Sequence, residues 1–159
     1  MTKHLIDLDR EQNPEFYRIL DEHNSFMDNY NEINNKLYEL EIPKLNLIRN
    51  KQKNNFIIDL NKTKKNIESL QKDYLDWKQK ANAFYLNPKL ILNSEKHGLL
   101  FLYYVGILKH MIQEMNYKMT ILLHNYDSTR QSYENKYNFQ VALLGLFFAL
   151  IGLYLSLFF

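Results

Sequence analysis

Apolar residues recur along this chain at alternating steps of three and four, in three separate runs. The first is Phe16, Ile19, His23, Phe26, Tyr30, Ile33, Leu37 and Leu40, with a histidine in one apolar slot. The second is Phe56, Leu60, Thr63, Ile67, Leu70, Tyr74, Trp77, Ala81 and Phe84. The third is Phe101, Val105, Leu108, Ile112, Met115, Met119, Leu122, Tyr126, Thr129 and Tyr133. Steps that alternate in this way keep one stripe on one side of a helix. Three such stripes predict three amphipathic helices that bury their seams against each other. The expected fold is all-α, an antiparallel helical bundle or coiled-coil hairpin.

The breaks between the runs agree with this reading. Asn13-Pro14 is a helix start, with Asn as N-cap and Pro in the first turn. Ile42-Pro43 ends the first helix near Glu41, because a residue before proline is pushed out of helical geometry. The second helix is expected from about Lys44 to Tyr85. It is followed by Leu86 to Asn93, which contains Pro88 and whose Leu and Ile suggest a loop that packs. Ser94 is a suitable N-cap for the third helix, with Glu95 in the first turn.

Beyond Tyr133 the pattern changes. Phe139 to Phe159 is 21 residues with no charge, interrupted only by Gln140 and Ser156 among strongly polar types. A helix of that length is about 30 Å long, the thickness of a bilayer's hydrocarbon core. It is expected to be a transmembrane helix. Leu99 to Leu108 is also apolar on all sides, but it is too short to span. Lengthening it brings in Lys109, His110, Glu114 and Lys118, so it is expected to be a buried stretch instead. No Gly or Pro lies between Ile107 and Gly145. The third helix is therefore expected to be long and to run directly into the membrane. The organisation is a polar segment (1–13), a helical bundle (14–138) and a transmembrane helix (139–159).

Small residues form a register within the span. Ala142, Gly145, Ala149, Gly152 and Ser156 again alternate steps of three and four. In lipid no hydrophobic force draws helices together, and small side chains let backbones approach until packing supplies the attraction. The stripe is expected to seat another membrane helix, from a second copy or a different subunit. Continued backwards, the register meets Asn138, Asn135, Gln131, Ser128 and His124, a polar stripe expected to face solvent. Tyr133, Lys136 and Tyr137 precede the span and suit the membrane interface. Lys136 and Arg130 flank the span on one side and nothing charged follows it, which predicts a bundle on the cytoplasmic or matrix side.

Charge sharpens the pairing. Residues 1–42 carry 10 acids and 4 bases, whereas residues 43–96 carry 12 bases and 5 acids. An acidic first helix beside a basic second one favours this arrangement over like-charged alternatives. The whole chain is +2, which gives no footprint for DNA, and RNA is not an expected partner either. There is no cysteine, so disulfides and thiolate sites are excluded. The N-terminus has no apolar stretch of a signal peptide.

Candidate chemistry is sparse. Arg18-Ile-Leu-Asp-Glu-His23 resembles the R-x4-H motif of HEPN-type ribonucleases over six residues. That resemblance implies a helical bundle in which the arginine and histidine cleave RNA. His23 also lies on the first seam, where a packed, hydrogen-bonded histidine is the default expectation. His97, His110 and His124 are too far apart on one helix to meet at a metal, and neither metal nor cofactor is expected. Arg49, Lys51, Lys53, Lys62, Lys64 and Lys65 form a basic run, expected to be a solvated face, with anionic lipid or nucleic acid as its other reading. The expected function is a non-catalytic, single-pass membrane scaffold or assembly subunit. Its partners are the bilayer and other transmembrane helices. A different class is an oligomeric effector that permeabilises the membrane, and a third is a membrane-tethered ribonuclease.

Overall fold

The computed structural model describes residues 10, 13–43, 50–86 and 94–158. The fold is all-α. Helix α1 is Pro14–Glu39, α2 is Asn50–Tyr85 and α3 is Ser94–Phe158, a single helix of 65 residues. At 1.5 Å per residue, α3 is about 100 Å long. Its backbone passes without a break from the bundle into the apolar C-terminal stretch. The start expected for α2 at Lys44 and most of the Leu86–Asn93 connection lie outside the described residues, as do most of residues 1–13 and Phe159.

The helices pack up, down, up, and specific pairs fix their register. On α1 and α2, Phe16 meets Phe84 with ring centroids 6.0 Å apart, and Phe26 meets Tyr74 at 6.1 Å. Ten residues forward on one helix match ten backward on the other, which is antiparallel pairing without slippage. On α1 and α3 the amide of Asn13 donates to the Tyr104 hydroxyl at 3.1 Å, and that of Asn125 donates to Asn34 Oδ1 at 3.3 Å. These advance together, so α1 and α3 are parallel. The Tyr74 hydroxyl on α2 donates to Asn116 Oδ1 on α3, and Phe56 stacks on Tyr133 at 4.8 Å. That pair is again antiparallel.

The core is made of the seams. Phe16, Ile19, His23, Phe26, Tyr30, Ile33 and Leu37 are buried on α1, and every position of the second run, Phe56 to Phe84, is buried on α2. A fully buried Ile or Leu contributes about 2–3 kcal/mol through apolar burial, so several such layers outweigh any surface ion pair. On α3 the buried set is Tyr104, Leu108, Met115, Met119, Leu122 and Tyr126. Here the sequence expectation needs correcting: Tyr104, not Val105, is the buried residue. Val105, Ile112, Thr129 and Tyr133 are only half-buried, and the Phe101 side chain lies outside the description. Tyr104 is drawn inward because its ring stacks on Phe16 at 4.2 Å while its hydroxyl accepts from Asn13.

Two helix ends also differ from expectation. Asn13 precedes Pro14 as anticipated, but its side chain makes no capping bond and turns to Tyr104 instead. Helix α1 ends at Glu39, two residues early. Leu40 is already extended (φ −69°, ψ 96°), and its N–H bonds back to the Leu37 carbonyl. Opposite charge on α1 and α2 meets across the interface at Lys80–Glu22, 2.8 Å apart. The pairs Lys36–Glu32 and Lys64–Glu68 lie within single helices instead. Such exposed pairs contribute a fraction of a kcal/mol, so the seams carry the stability.

Candidate functional site

Past Tyr137, α3 leaves its partners. The side chains from Val141 to Leu157 are almost all exposed, with Leu144 half-buried, and they include Phe147, Phe148, Leu150, Leu153 and Tyr154. The helix is long and apolar enough to cross a membrane. Its best window has a mean hydropathy of 2.1, and none of it is buried in the fold. An apolar surface of this extent is unusual, since monomeric soluble proteins rarely show contiguous patches beyond a few hundred Å².

Ala142, Gly145, Ala149, Gly152 and Ser156 all lie on this exposed cylinder. A Cβ added at Gly145 or Gly152 would meet nothing within 4 Å. Glycine inside a helix costs about 1 kcal/mol relative to alanine, and nothing in the chain's own packing requires it here. The Ser156 hydroxyl is turned inward onto the Leu153 carbonyl, 2.8 Å away, which satisfies it without water. The polar stripe that precedes the apolar stretch, at Asn138, Asn135, Gln131, Ser128 and His124, lies on the exposed side of α3.

The three residues expected at the membrane border have separate surroundings. Tyr133 is half-buried and closes the last core layer against Phe56; its hydroxyl is enclosed without a hydrogen-bond partner. Lys136 is half-buried. Tyr137 stays largely open, and the Lys53 ammonium of α2 sits 3.7 Å from its ring centroid. That cation–π contact joins residues 84 positions apart in sequence, and no spacing pattern announces it.

The other candidate is His23. It is 6% exposed, packed against Trp77 with ring centroids 5.7 Å apart. Neither ring nitrogen has a hydrogen-bond partner, so the expectation of a hydrogen-bonded seam histidine is corrected in that respect. Burial lowers its pKa, partly opposed by the Glu114 carboxylate, so at neutral pH the ring is uncharged. His23 borders an open groove of about 450 Å³ between α1 and α3, whose walls include Tyr103, Gly106, Ile107 and Met111, with His110 and Glu114. Arg18, the other half of the R-x4-H spacing, is exposed, whereas His23 is buried. Five residues on a helix turn the second side chain about 140° from the first, which is why the motif's members do not share a face. Among the described residues no group of three His, Asp or Glu side chains could hold a metal ion.

The comparisons place no relative beside this chain: no protein-family model, no curated protein and no solved structure matches it.

Proposed function

We propose that this protein is a non-catalytic membrane scaffold: a helical bundle held at a bilayer by the C-terminal part of α3, which recruits or assembles partner helices. The observation that supports the reading is the continuity of α3. One helix supplies core residues from Tyr104 to Tyr126 and is bare apolar surface over its last third, with two glycines whose flanks are empty. Anchor and recognition element are thus mechanically one piece, and a partner seated on the stripe in lipid would be held in fixed relation to the bundle in water. In this reading the bilayer covers Phe139 to Phe159, and a second copy or another subunit covers the small-residue stripe. The bundle lies on the side flanked by Arg130 and Lys136.

The test is extraction followed by sizing. The full chain, expressed in a membrane-bearing host, should resist alkaline carbonate and dissolve only in detergent. In mild detergent it should migrate as a species larger than one chain. Extraction by carbonate overturns the anchor. A monodisperse single chain with no partner overturns the assembly. An assembly that released dye from sealed vesicles would replace the scaffold with a membrane-permeabilising effector.

A further inference from the structure

The base of the bundle is uneven. The lowest polar contacts of α1 to α3 are at Asn125, whose amide donates to Asn34 and to the Tyr38 hydroxyl, both at 3.3 Å. Helix α2 reaches lower: Phe56 stacks on Tyr133, and Lys53 lies on Tyr137. The twelve residues from Asn125 to Tyr137 correspond to about 18 Å along α3. Helix α2 therefore comes down to within a turn of Phe139, where the uncharged stretch begins, and α1 stops well above it.

The charges follow the same geometry. Between Glu41 and Asp59 the sequence contains Lys44, Arg49, Lys51 and Lys53 and no acid. The first turn of α2 likewise has no acid. On α3, Lys136 is close to the same level, and the Glu134 carboxylate is occupied by Arg130 at 2.8 Å. By the register that pairs Asn34 with Asn125, Glu39 at the end of α1 is level with Arg130, about 10 Å above Tyr137 along α3. Its charge is partly screened there, since the Debye length is about 8 Å in physiological salt.

We infer that the lower end of α2, through Lys53 beside Tyr137, with Lys136, is a contact surface for the anionic headgroups of a phospholipid bilayer. This rests on the reading of residues 139–159 as the anchor. The anchor fixes the depth: with Phe139 at the hydrocarbon boundary, Tyr137 and Lys53 stand among the phosphates. A tyrosine ring suits that layer, being apolar at its body and polar at its tip. An ammonium 3.7 Å from that ring, on a half-buried Lys53, is close enough to meet a phosphate oxygen without giving up the ring. Basic residues next to a span attract anionic lipid by about fivefold per charge near the surface. The bundle would thereby be held upright by two helices rather than swinging on one.

The full chain is reconstituted into two sets of sealed vesicles, neutral phosphatidylcholine and phosphatidylcholine with one third phosphatidylglycerol. Lysine reactivity toward an amine-acylating reagent is then read residue by residue by mass spectrometry. Lys53 should react at least fivefold more slowly in the anionic vesicles, and high salt should restore the rate. Lys72, exposed and higher on α2, serves as the internal standard and should react equally in both. Equal Lys53 rates in the two vesicles, with the chain still resisting carbonate, overturn the headgroup contact and leave the anchor standing. Release of the chain by carbonate overturns both. Protection of Lys53 by inorganic phosphate in neutral vesicles would assign the surface to a soluble anion and overturn the lipid. Lys53→Gln should shift no carbonate result but should lower the preference for anionic vesicles in flotation at low protein load by about fivefold, the share of one charge; an unchanged preference also sinks the proposal.

Discussion

The indole N–H of Trp77 on α2 donates to the backbone carbonyl of Ile19 on α1 at 2.8 Å, inside the core. That carbonyl already belongs to a helix ladder, so the indole uses its second lone pair and ties the two helices at one height. Trp77 is also the chain's single tryptophan. Replacing it with Phe removes the bond without orphaning the carbonyl and leaves a small void. A loss of about 1–3 kcal/mol is expected. It should appear as a lower urea midpoint by far-UV circular dichroism in mild detergent, with helix content unchanged before unfolding. No shift in the midpoint would mean that the indole bond does not hold α1 to α2.

His23 gives the bundle an acid sensitivity of definite sign. The ring is buried and neutral, its pKa held below the ordinary histidine value by desolvation. The unfolded chain therefore takes up a proton first as pH falls. Stability is full above the unfolded value of about 6.5 and declines as pH drops from there toward the lowered folded value. Replacing His23 with Leu removes two unpartnered nitrogens at similar volume. The variant should melt at least as high as the parent at pH 7 and lose the decline between pH 7 and pH 5.5. His23→Ala should lose the decline too, but melt lower because it leaves a cavity. A parent that gains stability on acidification would show that the ring is charged in the fold and paired with Glu114.

The same residue decides the ribonuclease reading. General acid–base work needs the imidazole within hydrogen-bond reach of the substrate, and both ring nitrogens of His23 are shielded although the residue edges the groove, while Arg18 faces outward. Purified protein is expected to leave a labelled RNA intact, and Arg18→Ala should melt within about 0.5 kcal/mol of the parent, as surface changes usually do. Cleavage that stops when either residue is replaced would promote the ribonuclease over the scaffold.

Much of the fold was legible because burial leaves a periodic trace. All nine seam positions on α2 from Phe56 to Phe84 are buried where the pattern put them. Tyr104 was missed because Tyr103, Tyr104 and Val105 are three neighbouring apolar residues, and α3 faces two helices, which widens its buried stripe. Asn116 and Asn125 were missed for a different reason. Each is an ordinary polar residue until Tyr74, Asn34 and Tyr38 are brought opposite it. Pairwise contacts of this kind depend on the register between helices, which no single run of sequence carries. The Lys53–Tyr137 contact belongs to the same class.

The exposed glycines of the apolar segment support the strongest prediction about assembly. Gly145 and Gly152 are one heptad apart, with Ala149 between them, and each has open space where a side chain would go. Within the chain alone, Leu at both positions is harmless: it clashes with nothing, and it improves helix propensity. The span stays apolar, so insertion and carbonate resistance should not change. What two leucines do is fill the shallow groove that lets another backbone approach, which in lipid removes the packing that replaces the hydrophobic effect. Gly145→Leu/Gly152→Leu should therefore remain in the membrane and shift to smaller species in mild detergent, or lose a co-purifying partner. Phe147→Leu/Tyr154→Leu, one heptad apart on the opposite face, should leave the assembly unchanged. Because the fold gives the glycines no internal role, a folding defect would not account for a difference between the two variants. Identical behaviour of the two pairs would mean that the stripe seats no helix, and assembly would then have to come from the bundle alone.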